Sequence, residues 1–203
     1  MKIVEIFTSI QGEGLYSGYP TIFLRLAGCN LQCTYCDTPD AQKPDGKEMG
    51  VDDIAERVKR SGLLHVCVTG GEPLLQGEEL LSLLQLLHDS DLEVSIETNG
   101  TIDFEPYQKF TSICMDVKCP SSGEQSNLAL LSRIGLNDSV KFVIGSEDDI
   151  RYAHESMKRY PIKGTIFWSP VYGTDPQVVA AYILDNKLPV RFQLQLHKVI
   201  GVQ

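Results

Sequence analysis

The stretch Thr21-Ile-Phe-Leu-Arg-Leu-Ala-Gly-Cys-Asn-Leu-Gln-Cys-Thr-Tyr-Cys36 joins a strand-forming run to a loop that carries three cysteines. Thr21 to Leu26 has the β-branched and aromatic content of a strand, and Gly28 punctuates it. Cys29, Cys33 and Cys36 follow in the spacing Cys-x3-Cys-x2-Cys. Three thiolates on one short loop are one ligand short of the four that close a structural zinc site or an electron-carrier cluster. The open position is therefore free to bind something else. A zinc knuckle would need a fourth ligand, and the nearest later candidates, His65 and Cys67, fall on a stretch that reads as a buried strand. Disulfides are disfavoured because Met1-Lys-Ile-Val-Glu5 lacks the apolar core of a secretory leader, so a cytoplasmic, reducing setting is expected. Cys67, Cys114 and Cys119 read as small buried side chains or neighbours of a site.

Outward from this loop, short apolar runs alternate with longer amphipathic ones. Strands are expected at Ile3 to Phe7, Leu64 to Val68, Leu92 to Glu97, Ser112 to Val117, Val140 to Ile144, Thr165 to Trp168 and Arg191 to Leu196. Helices are expected at Val51 to Val58, Glu78 to Leu87, Ser126 to Ile134, Glu147 to Lys158 and Asp175 to Asn186. Pro39 to Gly50 reads as a loop, with Pro44-Asp-Gly46 as its turn. A β/α series builds a parallel sheet with helices outside, and its reactive residues belong at the carboxyl ends of the strands. The notable motifs obey that rule: the cysteine loop, Thr69-Gly-Gly-Glu-Pro73, Thr98-Asn-Gly100, Lys118 and Ser169-Pro-Val171 each follow a strand. A closed eight-stranded barrel takes about 250 residues. The 203 residues here fit a single domain, 1–203, built as an incomplete TIM-like barrel of about six parallel strands with terminal additions.

The formal charge of −9 argues against a nucleic-acid surface, and no apolar stretch approaches the length of a membrane span.

The cysteine spacing with Tyr35 beside the last thiol, followed in order by the Gly70-Gly71 segment, resembles the signature of the radical S-adenosylmethionine (SAM) enzymes. The resemblance implies a [4Fe-4S] cluster on Cys29, Cys33 and Cys36, with SAM chelating the fourth iron and its methionine amino group near Gly71. The segments Phe7-Thr-Ser-Ile-Gln-Gly-Glu-Gly14, Arg25, Cys36-Asp-Thr38, Ile96-Glu-Thr-Asn-Gly100, Asp116-Val-Lys-Cys-Pro120 and Gln195-Leu-His-Lys198 narrow it further. Together they resemble the 7-carboxy-7-deazaguanine synthase family, which converts 6-carboxy-5,6,7,8-tetrahydropterin to 7-carboxy-7-deazaguanine with loss of ammonia on the route to queuosine and other deazapurines.

That resemblance implies a site. SAM would lie across Tyr35, Cys36, Asp37, Gly71, Asp116, Val117, Lys118, Ser169 and Val171. Mg2+ would take an oxygen from Thr38, whose other reading is a residue that merely begins a turn. Main-chain groups of Ile10, Gln11 and Gly12 would read the pterin edge, although the same residues also read as a hairpin turn. Arg25 alternates away from Leu24 and Leu26, and its guanidinium fork suits a substrate carboxylate. Thr69 offers a hydroxyl, His197 matches a substrate-facing histidine, and Glu97 is the residue to test for proton transfer. Many family members end in proline, whose carboxylate reaches the pterin; here Gln203 stands in that place. The implied chemistry starts with one electron cleaving SAM to methionine and a 5'-deoxyadenosyl radical, which takes hydrogen from C6 of the pterin. The ring then contracts, hydrogen returns and ammonia leaves. A homodimer and an electron donor such as flavodoxin are implied as partners. Two alternatives stand beside this reading. An activase of a glycyl-radical partner protein would share the cysteines but would not need Gln11, Arg25 and His197, and an iron-sulfur or zinc module would bind metal without cleaving SAM.

Overall fold

Strand β2 (Pro20–Leu26) forms the hinge between two halves of one sheet. On one side it pairs antiparallel with β1 (Lys2–Ile10), which pairs in turn with the short β3 (Lys47–Glu48). On the other side a parallel series runs through β4 (His65–Gly70), β5 (Glu93–Thr98), β6 (Ser112–Val117), β7 (Ser139–Ile144), β8 (Thr165–Pro170) and β9 (Arg191–Phe192). The sheet order is β3-β1-β2-β4-β5-β6-β7-β8-β9, and its two ends do not pair, so the barrel is open. Six full-length parallel strands with antiparallel additions agree with the expected incomplete barrel. This computed structural model describes all residues from 1 to 203.

The parallel strands are buried on both faces, which is why they read as continuous apolar runs rather than alternating ones; all six residues of β7 are buried. The helices cover the outer face. In α2 (Val51–Arg60), Ile54, Ala55 and Val58 point inward, while Asp52 and Asp53 sit at the positive end of the dipole and Lys59 and Arg60 at the negative end. In α3 (Gly77–His88) the buried residues Leu80, Leu83, Leu84 and Leu87 follow the helical repeat. Helix α4 (Glu147–Arg159) is capped by Ser146, whose hydroxyl accepts from Asp149 N, and α5 (Pro176–Asp185) by Asp175, which accepts from Gln177 N. One cluster of 34 buried side chains runs from Met1 to Ile183, so the antiparallel additions share the core of the parallel series.

Three local expectations change. Pro39 to Gly50 is not all loop: Pro39 opens a helical turn, α1 (Pro39–Gln42), and β3 follows. Carbonyls of Ala41 and Gln42 accept from the amides of Gly28 and Cys29 at 2.8 and 3.2 Å, so the turn braces the start of the cysteine loop. The helix expected over Ser126 to Ile134 is instead a 3-10 segment, Leu128–Arg133, capped by the Asn127 side chain. The strand expected over Arg191 to Leu196 ends at Phe192; Gln193 N still donates to Trp168 O at 3.0 Å, and its side chain bonds both main-chain groups of Gly14. The chain then enters α6 (Leu196–Ile200).

Candidate active site

A cavity of about 350 Å³ opens at the carboxyl ends of the parallel strands. The residue pair Gly70-Gly71 shapes its floor. Gly70 has a φ of +141°, and a Cβ there would lie 2.2 Å from the Leu26 carbonyl oxygen. A Cβ on Gly71 would lie 2.1 Å from the Gly28 carbonyl oxygen. Absent side chains let the end of β4 pass directly against the start of the cysteine loop, stitched by Gly71 N to Leu26 O at 3.1 Å and Glu72 N to Gly28 O at 2.8 Å. Buried Glu72 extends the stitching, accepting from Leu74 N, Thr98 Oγ1 and Asn99 N, and so ties the end of β4 to the end of β5.

Cys29, Cys33 and Cys36 line this cavity as half-buried free thiols. Burial pushes the Cys29 and Cys33 thiols up, and the nearby Lys118 ammonium opposes this at both. The Cys29 sulfur lies within reach of two N–H donors, Leu31 N at 3.5 Å and Asn99 Nδ2 at 3.9 Å. No set of three or more Cys, His, Asp or Glu side chains closes on a single-ion position. A cluster takes each thiolate on a separate iron, so three sulfurs along one wall beside a glycine-built floor fit it better than they fit one zinc. His65, the distant zinc candidate, is held by Thr21 and Ser95 instead. Cys67, Cys114 and Cys119 are buried.

The residues expected around SAM are partly brought together. Tyr35, Cys36, Asp37, Gly71, Asp116, Lys118 and Val171 line the cavity. Val117 and Ser169 are the exceptions: Val117 alternates away from Asp116 and Lys118 into the core, and Ser169 is buried in β8 with its hydroxyl unpartnered. Lys118 Nζ pairs with Asp116 Oδ2 at 2.8 Å. Burial alone would raise the Asp116 carboxyl, but Lys118 and Lys141 outweigh it and hold Asp116 low. Thr38 precedes α1, yet its hydroxyl caps nothing and lies 3.9 Å from Cys36 Sγ, open to the cavity.

The residues expected to face a substrate line the same cavity. Arg25 stacks its guanidinium 5.4 Å from the Phe7 ring centroid and donates its Nε to Glu5 at 2.7 Å. Glu97 accepts from Gln11 Nε2 at 3.3 Å and Thr69 Oγ1 at 3.1 Å, and its burial raises its carboxyl above the usual range against the pull of Lys141. The main-chain reading at Gln11 is corrected: its N–H and C=O close the hairpin through Tyr19 O and Gly18 N, so its side chain is what faces the cavity. The Gly12 carbonyl accepts from Leu196 N, and a Cβ on Gly12 would fall 1.9 Å from His197 Nδ1, so this glycine admits the histidine. The C-terminal segment closes over the top, with Lys198 on Asp37 at 2.8 Å and the Gln203 main-chain oxygen accepting from the Ser9 hydroxyl at 2.7 Å.

Sequence reasoning missed Glu13 and Lys141, which form a buried ion pair in the cavity wall. The signal was available: Lys141 is the one charged residue inside Ser139-Val-Lys-Phe-Val-Ile144, a run that otherwise reads as fully buried.

Comparison with known proteins places this geometry. The sequence profile of the Radical SAM superfamily matches residues 24–167. The chain is 56% identical to the 7-carboxy-7-deazaguanine synthase of Methanospirillum hungatei over 100% of its own length and 86% of that protein. The chain belongs to the 7-carboxy-7-deazaguanine synthase family. A second member, from Clostridium acetobutylicum, is 42% identical over 98% of this chain and 95% of that one. Among solved structures, QueE from Escherichia coli superposes with a TM-score of 0.76 at 25% identity, covering 97% of this chain and 94% of that one. As a radical SAM synthase of this family, the enzyme uses a [4Fe-4S] cluster and SAM.

Proposed function

We propose that this one-domain enzyme is a radical SAM lyase that converts 6-carboxy-5,6,7,8-tetrahydropterin to 7-carboxy-7-deazaguanine with loss of ammonia. The observation that carries the reading is the joining, in one cavity, of the three-thiol loop to a wall bearing Arg25, Thr69, Glu97 and His197. When bound, the reduced cluster and SAM supply the radical that removes hydrogen from the substrate.

The protein's own residues orient and enclose. Cys29, Cys33 and Cys36 would hold the cluster, and Tyr35, Asp37, Gly71, Asp116, Lys118 and Val171 line the space that SAM would take. Arg25, fixed by Glu5 on one side and Phe7 on the other, keeps its terminal nitrogens for the substrate carboxylate. Glu97, raised toward its protonated form, is suited to hold or pass a proton at the heterocycle. Glu13 Oε1 is buried with no partner and offers an acceptor to a pterin N–H. The uncapping Thr38 hydroxyl is suited to Mg2+ together with the substrate carboxylate. The C-terminal segment excludes water from the radical chemistry. A homodimer and a flavodoxin-type donor complete the reading; Phe192, Leu194, Val199, Ile200 and Val202 leave exposed apolar surface for the first. The six free thiols suit a reducing, cytoplasmic setting.

The test is an anaerobic assay of the cluster-loaded protein with reductant, SAM, Mg2+ and the pterin, following 7-carboxy-7-deazaguanine by mass. Product from the wild type and none from Cys33→Ala is expected. SAM cleavage without product from the wild type would overturn the substrate assignment.

A further inference from the structure

Lys141 stands in the middle of β7 between Val140 and Phe142, and only 5% of its surface is exposed. Its ammonium donates to Glu13 Oε2 and lies 3.7 Å from Asp116 Oδ2. Glu13 comes from the loop after β1, whereas Asp116 sits directly beside Lys141 in the register of β6 with β7. One lysine therefore ties the substrate wall to the cofactor wall. Each acid spends one oxygen on cations, and the second oxygen of each, Glu13 Oε1 and Asp116 Oδ1, is buried with no partner in the protein. Buried acceptors without donors are rare, and two on the walls of one cavity mark places where ligand donors belong. A buried ion pair is seldom the most stable filling of a core, so its presence here is better explained by what it aims than by stability.

We propose that Lys141 is a positioning residue that aims two acceptors at two ligands at once, Glu13 Oε1 at the N–H edge of the pterin and Asp116 Oδ1 at a hydrogen-bond donor of SAM. The inference rests on the functional reading above. It assigns no chemical step to Lys141, which acts through the two carboxylates. Glu97, Lys118 and His197 also bear charge or titrate around the same space, but Lys141 alone contacts both acids.

The experiment measures equilibrium binding, without turnover, to the cluster-loaded protein kept oxidised under anaerobic conditions. Calorimetry follows SAM, and fluorescence follows 6-carboxypterin, the unreactive oxidised form of the substrate. Lys141→Met is expected to weaken both ligands by about tenfold or more. Glu13→Gln is expected to weaken the pterin and leave SAM unchanged, and Lys141→Arg, which keeps the charge, is expected to retain both. In the double variant Glu13→Gln/Lys141→Met, pterin binding should be no weaker than in the worse single variant, because the lysine acts on the pterin through Glu13. If Lys141→Met does not fold, Lys141→Gln replaces it under the same expectation. Unchanged binding of either ligand in Lys141→Met, or pterin losses that add in the double variant, would overturn the proposal. A wild type that binds both ligands but makes no deazaguanine would contradict the functional reading and leave this one standing.

Discussion

At the scale of single residues, the site depends as much on atoms that are missing as on those present. Gly71 has no Cβ because the Gly28 carbonyl would lie 2.1 Å from it, so Gly71→Ala must push backbone against backbone. We expect a loss of at least about 2 kcal/mol of stability together with reduced cluster incorporation. Gly62, with a φ of +70° and no atom within 4 Å of its would-be Cβ, should lose only about 1–2 kcal/mol as Ala. Chemical denaturation and iron counts on the two variants check this contrast. Arg25 offers a different kind of test. Arg25→Lys keeps the charge but not the fork, and loses about 1.5–3 kcal/mol of carboxylate binding. That should raise the KM for the pterin roughly tenfold to a hundredfold while SAM binding stays the same. Glu97 carries a pH signature. Its buried carboxyl titrates above the usual range, so the folded state holds a proton that the unfolded chain has already released. Wild-type stability should therefore fall, relative to Glu97→Gln, as pH climbs from about 4.5 until the buried carboxyl has ionised.

At the scale of elements, the two ends of the strands do separate work. His65 opens β4 far from the cavity, accepts or donates across to Thr21 of β2 and Ser95 of β5, and stacks on Tyr16 at 4.1 Å. Burial lowers its pKa from 6.5 to about 4, so the unfolded chain binds the proton first. Stability present above pH 6.5 should decline as pH falls toward 4, and His65→Gln should flatten that limb in denaturant titrations. At the other end, α6 is held to the cysteine loop by Lys198 and Asp37, a partly exposed pair. Lys198→Glu should raise the pterin KM by about twofold to fivefold with kcat little changed, the size of one such ion pair. The elements also show where pattern reading stops. Helices α2 and α3 were legible because their apolar residues repeat over two or three turns. The four-residue α1 was not, since one turn has no period to read, although it carries the carbonyls that brace Gly28 and Cys29. Leu128–Arg133 has helical residues, but the Asn127 cap starts a 3-10 turn that ends at Ile134.

At the scale of the whole molecule, the sequence order of the motifs maps onto the carboxyl edge of an open sheet, which made the cysteine loop, Thr69-Gly-Gly-Glu-Pro73 and Lys118 legible as parts of one site, whereas Thr38, Arg25 and Glu97 were expected from the family resemblance. What escaped was contact between distant segments. Glu13 and Lys141 lie 128 residues apart, and only the sheet brings them together. The hairpin that Gln11 was also expected to form takes up its main-chain groups, so its side chain is what reaches the cavity. The central claim is that one cavity has a cofactor half built on the thiol loop and a substrate half built on Arg25 and its neighbours. An anaerobic assay that follows 5'-deoxyadenosine and 7-carboxy-7-deazaguanine separately tests it most directly. The wild type should form both, Cys33→Ala neither, and Arg25→Met the nucleoside with little of the deazapurine. An Arg25→Met enzyme that makes the deazapurine at the wild-type rate with subsaturating pterin, or a wild type that yields no 5'-deoxyadenosine with its cluster loaded and reduced, would contradict the account.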